Sequence, residues 1–228
     1  TFDSNSNKVV IAYRDGGDSN YGKAIVGTVS GTDISFGSPV TFESAHAAYM
    51  SATFDSTNNK FVVAYRDQGN SDYGECRVAT ISGTSISFGT MVVFNSAGTI
   101  YNPVVHDVAN NKIVIAYRDA GNSNIGTAIV GTISGTSISF GSEVTFDSSG
   151  ANYVGANYDS AAEKVVIAYN DIGDSNKGKI VVGTVSGTSI SFGSENVFST
   201  NATSRSFNTF DSNVNRSVIV YRDEGSSD

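Results

Sequence analysis

The chain repeats itself at a fixed step. Ala-Tyr-Arg-Asp ends at Asp15, Asp67 and Asp119, and the variants Ala-Tyr-Asn-Asp and Val-Tyr-Arg-Asp end at Asp171 and Asp223. Each step is 52 residues, without insertion or deletion. The 228 residues divide into units 1–52, 53–104, 105–156 and 157–208, with a partial unit 209–228. No linker or composition shift separates them, so we read one repeat domain. A strict period restricts the fold to architectures in which each unit buries its apolar face on its neighbours.

The second unit shows what one repeat folds into. Tyr49–Asp55, Lys60–Asp67, Gly74–Ser82 and Ile86–Phe94 read as four strands, separated by Ser56–Asn59, Gln68–Tyr73 and Gly83-Thr84. The separators are Gly, Asn, Asp and Ser, which tolerate positive φ or bond their own backbone. No window carries a useful apolar period of 3.6 residues, so no helix is expected. Short connections make neighbouring strands antiparallel. The expected fold is all-β: a β-propeller-like array of four-stranded antiparallel blades, four complete and a fifth partial. A sandwich or barrel of duplicated hairpins is the alternative.

The units resemble those of highly repetitive microbial or phage β-propellers with blades near fifty residues. The resemblance spans the chain and rests on Ala-Tyr-Arg-Asp, on Gly-Thr-Ser-Ile-Ser-Phe-Gly at 83–89, 135–141 and 187–193, and on the blade length. It implies no particular activity.

Residues that recur in every unit should serve the repeat itself. Tyr13, Tyr65, Tyr117, Tyr169 and Tyr221 form one row; Phe36, Phe88, Phe140 and Phe192 form a second; Phe42, Phe94, Phe146 and Phe198 form a third. Aromatics dominate buried area, so these rows are expected in the core between units. If Asp55 pairs with Lys60, Arg66 falls opposite Tyr49, Arg118 opposite Tyr101, Asn170 opposite Tyr153 and Arg222 opposite Arg205. Tyr49, Arg66, Tyr101, Arg118, Tyr153 and Arg205 are therefore ligand-binding candidates, with a structural cation–π role as the alternative. The loop after the second strand reads Asp-x-Gly-(Asp/Asn)-Ser-(Asn/Asp). Its outline makes Asp15, Asp18, Asp67, Asp119, Asp171 and Asp174 weak calcium candidates. A turn built by Asx and Ser side chains explains the same residues, and no cofactor is expected.

The formal net charge of −8 argues against nucleic acid and anionic membranes as partners. No apolar run approaches the ~20 residues of a membrane span. One cysteine, Cys76, leaves no disulfide framework. No catalytic motif appears, and Asp rows recur in every unit, whereas an active site is normally built once. The leading expectation is therefore a non-enzymatic structural subunit of an extracellular fibre or appendage, on a cell or virion surface. A lectin-like glycan-binding propeller is the alternative, although the chain lacks Trp. A glycosidase-type propeller enzyme comes third. Asn201 and Asn215 head glycosylation sequons. Position 1 is Thr, and the sequence reads as processed or as a window onto a longer chain. The partial fifth unit carries an apolar run, with Arg216, Val218, Ile219, Val220 and Tyr221 as assembly residues. Head-to-tail strand complementation between copies is the expectation drawn from them.

Overall fold

The computed structural model describes residues 1–225. Among them there are antiparallel strands and turns and no helix. Backbone hydrogen bonds join the strands into one sheet of 14, from Phe2 to Asp147, and one of 6, from Ala151 to Asp223. Among the described residues no helix is long and apolar enough to cross a membrane.

Within each complete unit the register repeats. Lys60–Asp67 pairs with Tyr73–Ser82, Ala64 opposite Cys76. The far end of Tyr73–Ser82 pairs with Ser85–Phe88 across the Gly83 turn, and its near end pairs with Val92–Ile100. Gly31, Gly83, Gly135 and Gly187 hold φ between 60° and 63° in these turns. That conformation suits a residue without Cβ.

The strands do not stop where the sequence led us to divide them. Val40–Asp55 is a single strand of 16 residues. Its first half pairs with the third strand of unit one and its second half with Lys60–Asp67 of unit two. Asn196–Asp211 does the same later in the chain. Ser44–Met50 contains neither Gly nor Pro, and the strand runs through it with a single slip in register between Ala48 and Ser51. The equivalent passage breaks between Ile100 and Val104, at Pro103, and between Asp147 and Ala151, where Gly150 holds φ at 110°. Pro has no N–H to give a ladder.

The core lies between units. Three apolar clusters form, and each draws its side chains from two successive units. Phe42 of unit one meets Tyr65 of unit two at a ring separation of 5.2 Å, and Phe94–Tyr117 and Phe146–Tyr169 repeat the contact at 5.3 and 5.2 Å. Gly22, Gly74, Gly126 and Gly178 make room for these rings. A Cβ on Gly74 would lie 2.5 Å from Phe94, and one on Gly126 would lie 2.3 Å from Phe146. The aromatic rows are thus inter-unit core in the middle of the chain. Toward its ends the same rows open: Phe36 is 47% exposed and Tyr221 38%.

Candidate functional site

At four equivalent positions near the start of a first strand, one residue leaves the ladder. Tyr49, Tyr153 and Arg205 sit in β-bulges, where the register slips between Ala48 and Ser51, Asn152 and Gly155, and Ser204 and Phe207. Their φ values are 47°, 47° and 54°. Tyr101, at the same place in its unit, has φ 79°. A left-handed backbone costs a non-glycine residue about 1–2 kcal/mol. Four equivalent positions carry that strain, and bulges of this kind re-aim a side chain.

The re-aimed rings form a row. Tyr49 and Tyr101 are 5.7 Å apart between ring centres, edge to face, and Tyr101 and Tyr153 are 5.5 Å apart. Tyr49 is 45% exposed, and the other two are half-buried. Burial pushes the Tyr101 phenol above its ordinary range. Arg66 lies over the Tyr49 ring at 5.7 Å. Asp72 holds that guanidinium, accepting from Nε at 2.7 Å. Arg118 donates through Nε to Asn124 at 2.9 Å and through Nη1 to Asn152, whose side-chain oxygen also faces the Tyr101 hydroxyl at 3.4 Å.

The bulge corrects the expected register by one residue. Arg66 lies opposite Ala48, Arg118 opposite Ile100, Asn170 opposite Asn152 and Arg222 opposite Ser204. Counting back from Asp55 holds as far as Ser51 and fails at the extra residue. Arg66 still reaches Tyr49, because the side chain is long enough to span the slip.

Three clefts border the row. A cavity of about 540 Å³ opens beside Tyr49, with Arg14, His46, Met50 and Gln68 among its walls. Another of about 330 Å³ lies between Tyr101, Tyr153, Arg205 and Phe207. A third, of about 250 Å³, is lined by Ser51, Tyr101, Gly155 and Asn208, which come from four successive units. First strands therefore converge along one line, and five of the six ligand-binding candidates, all but Arg118, reach that line by wall or ring contact. The sequence missed the cleft walls Met50, Phe207 and Asn208, which have no recurring pattern of their own.

The Asp loops are turns braced by their own carboxylates. Asp67 accepts the Gly69 N–H at 2.7 Å, Asp119 accepts Gly121 at 3.0 Å, and Asp15 accepts Gly17 at 3.0 Å. Ser and Asx residues follow at positive φ, as in Ser71 and Asp72. Lys23 bridges Asp15 and Asp18 at 2.8 and 2.6 Å, and Lys179 bridges Asp171 and Asp174 at 2.5 and 3.6 Å. Hydrogen bonding from Lys23 holds the half-buried Asp15 carboxyl below its ordinary range, and Lys177, donating at 2.8 Å, does the same for the half-buried Asp174. Among the described residues, Glu43, Asp67 and Glu75 form a carboxylate group compact enough to share an ion.

The expected assembly residues lie on the strand Arg216–Asp223, paired with Asn196–Asp211. Val218, Val220 and Tyr221 are 44%, 65% and 38% exposed. Their counterparts Val62, Ala64 and Tyr65 are fully buried. Neither a protein-family profile nor a curated protein sequence matches the chain.

Proposed function

We propose that the chain is a non-enzymatic binding scaffold, a propeller-like array of four-stranded blades whose first strands present an aromatic–arginine row to a glycan. The observation that carries this reading is the row Tyr49, Tyr101 and Tyr153, held in strained backbone at equivalent positions and bordered by three clefts. Positive φ is uncommon for a residue as bulky as tyrosine, and strain of this kind clusters where a side chain must be presented. Saccharide rings stack their C–H faces on aromatic side chains. Arg66, Arg205 and Asn152 would supply the polar contacts that hydroxyl groups require. An acidic scaffold disfavours polyanions, which points to neutral or cationic sugars. Such a ligand fits an extracellular or surface location.

A glycan array tests the reading. The parent chain should retain a defined subset of glycans, and Tyr101→Ala should lose that subset while remaining folded. Retention of nothing by the parent, or unchanged retention by the variant, contradicts it.

Self-assembly is the second reading, favoured by the apolar strand face at Val218 and Val220, opposite the face on which Tyr221 packs against Phe198. In units two and three the equivalent residues Val62, Ala64, Val114 and Ala116 are buried against the following unit. A second copy docking on this face would continue the stack head to tail. Sedimentation at rising concentration should then show multimers that Val220→Asp abolishes. A concentration-independent monomer contradicts the second reading and leaves the first intact.

A further inference from the structure

The fourth unit contains a carboxylate cluster with a cation of its own. Asp171 is joined by Lys179, 2.5 Å away, and Ser149 bridges it to the buried Asp147. Lys179 also reaches Glu195 at 2.9 Å. The ammonium is what allows these acids to lie together in the interface between units. Lys23 plays the same part beside Asp15 in unit one.

The equivalent positions in unit two are Glu43, Asp67 and Glu75. The lysine has become a third carboxylate. One oxygen from each of the three lies within 4.8 Å of the others. Glu43 is 8% exposed, Asp67 6% and Glu75 0%. Glu43 accepts the Tyr65 hydroxyl at 2.9 Å and the Ala45 N–H at 3.1 Å. Asp67 accepts the Gly69 N–H at 2.7 Å, and Glu75 Oε1 accepts Asn70 Nδ2 at 2.9 Å. Glu75 Oε2 is buried and has no hydrogen-bond partner. The cation beside the cluster is Arg77, whose Nη2 stands 3.8 Å from Glu43 Oε2. Arg77 is peculiar to unit two, where the other units carry Ile25, Ile129 and Val181.

Three carboxylates against one guanidinium leave a formal charge of −2 in a buried pocket. Charges buried this deeply are paired or coordinate a metal. We propose that Glu43, Asp67 and Glu75 bind a divalent cation of the oxygen-seeking class, magnesium, manganese or calcium, in the place that the lysine ammonium takes in unit four. The donors are all oxygen, which suits these ions and not the thiolate- and imidazole-loving metals. The spacing also fits, because donors on opposite sides of a calcium ion lie about 4.6–5.2 Å apart. Glu43 belongs to the strand shared by units one and two, so the ion would staple one unit to the next.

The test uses the whole chain, stripped with a chelator and dialysed. Calcium and magnesium are titrated by calorimetry and manganese by paramagnetic resonance, each alone, with melting followed in parallel. The expected result is one ion per chain for at least one of the three. Melting should rise by about 5–10 °C at a hundredfold excess over Kd. Glu75→Lys restores the internal ammonium of units one and four. It should fold, bind none of the three ions and melt at a temperature indifferent to them. Glu75→Gln, the smaller change, should weaken binding at least tenfold. A parent whose melting ignores millimolar concentrations of all three ions overturns the proposal. So does a folded Glu75→Lys or Glu75→Gln variant that binds as tightly as the parent. A cluster that instead shares a proton would show stability depending on pH and not on the ions, which also overturns it.

Discussion

The guanidinium carbon of Arg66 lies 5.7 Å from the centre of the Tyr49 ring, although the two residues are not opposite each other in the strand ladder. A bulge moves the tyrosine out of register, and a carboxylate, Asp72, holds the arginine in place. The contact is therefore assembled from three separate features of the chain. A cation–π pair at an exposed site contributes only about 0.5–1 kcal/mol. The backbone strain at Tyr49 costs about 1–2 kcal/mol. The edge-to-face contact with Tyr101 adds about 0.5–1.5 kcal/mol, so the ring contacts and the strain are of similar size.

That comparison makes Tyr49→Gly a discriminating variant. Glycine adopts φ 47° without penalty, so relief of strain should offset the lost ring contacts. Denaturant unfolding should place the variant within about 1 kcal/mol of the parent. Ligand binding at the row should nevertheless fall. A large loss of stability would make Tyr49 a structural residue.

The inter-unit aromatic contact should be costly to remove. Tyr117 is fully buried, packs on Phe94 and donates its hydroxyl to Glu143 at 2.7 Å. Tyr117→Ala should destabilise by about 3–5 kcal/mol and Tyr117→Phe by about 1 kcal/mol. Phe36, of the row that Phe88 and Phe140 continue, is 47% exposed, and Phe36→Ala should cost less than about 1 kcal/mol. Chemical denaturation of the three variants measures the contrast.

Close glycine–ring packing gives a second test of the interfaces. A Cβ at position 126 would stand 2.3 Å from the Phe146 ring, which is itself buried against Tyr169. Gly126→Ala should destabilise by about 1–3 kcal/mol through overpacking. The same change at the exposed Gly16, where a Cβ meets nothing within 4 Å, should be close to neutral.

His106 supplies a pH dependence with a definite sign. It replaces the aromatic residue found at Phe54 and Tyr158, and its Nε2 lies 3.1 Å from Asp55 Oδ1 without the alignment of a hydrogen bond. Burial holds its imidazole below the ordinary range, against the pull of Asp55, Asp107 and Asn111. The unfolded chain thus takes up the proton more readily than the folded one. Stability is full above the unfolded value of about 6.5 and falls as the pH drops below it. His106→Phe should flatten the part of the profile between about pH 7 and 5.5. An unchanged slope would place the acid sensitivity on other groups.

The period and the strands were legible because they rest on local chemistry. Lys60–Asp67 spans the same residues in sequence and structure, since an apolar run between an Asn pair and an Asp-x-Gly turn leaves it no freedom. The Gly83 turn is equally local. The bulge at Tyr49 was not legible, because nothing in Ala-Ala-Tyr-Met-Ser announces an extra residue. Nor was the fusion of strands over Val40–Asp55, which follows from a turn signal that is missing. The carboxylate group failed for another reason. Glu43 and Glu75 are 32 positions apart and meet only when one unit packs on the next, so only Asp67 stood out in the sequence. The invariant glycines at 22, 74, 126 and 178 were a usable signal of the ring packing that went unread.

The most direct test of the binding row is a calorimetric titration of the parent and of Tyr101→Ala with a glycan that the parent retains. Tyr101 is the middle ring of the row and lines two of its clefts. The expected result is saturable binding by the parent and at least a tenfold weaker Kd for the variant, a difference of about 1.4 kcal/mol. Equal affinities for two folded proteins would contradict the account.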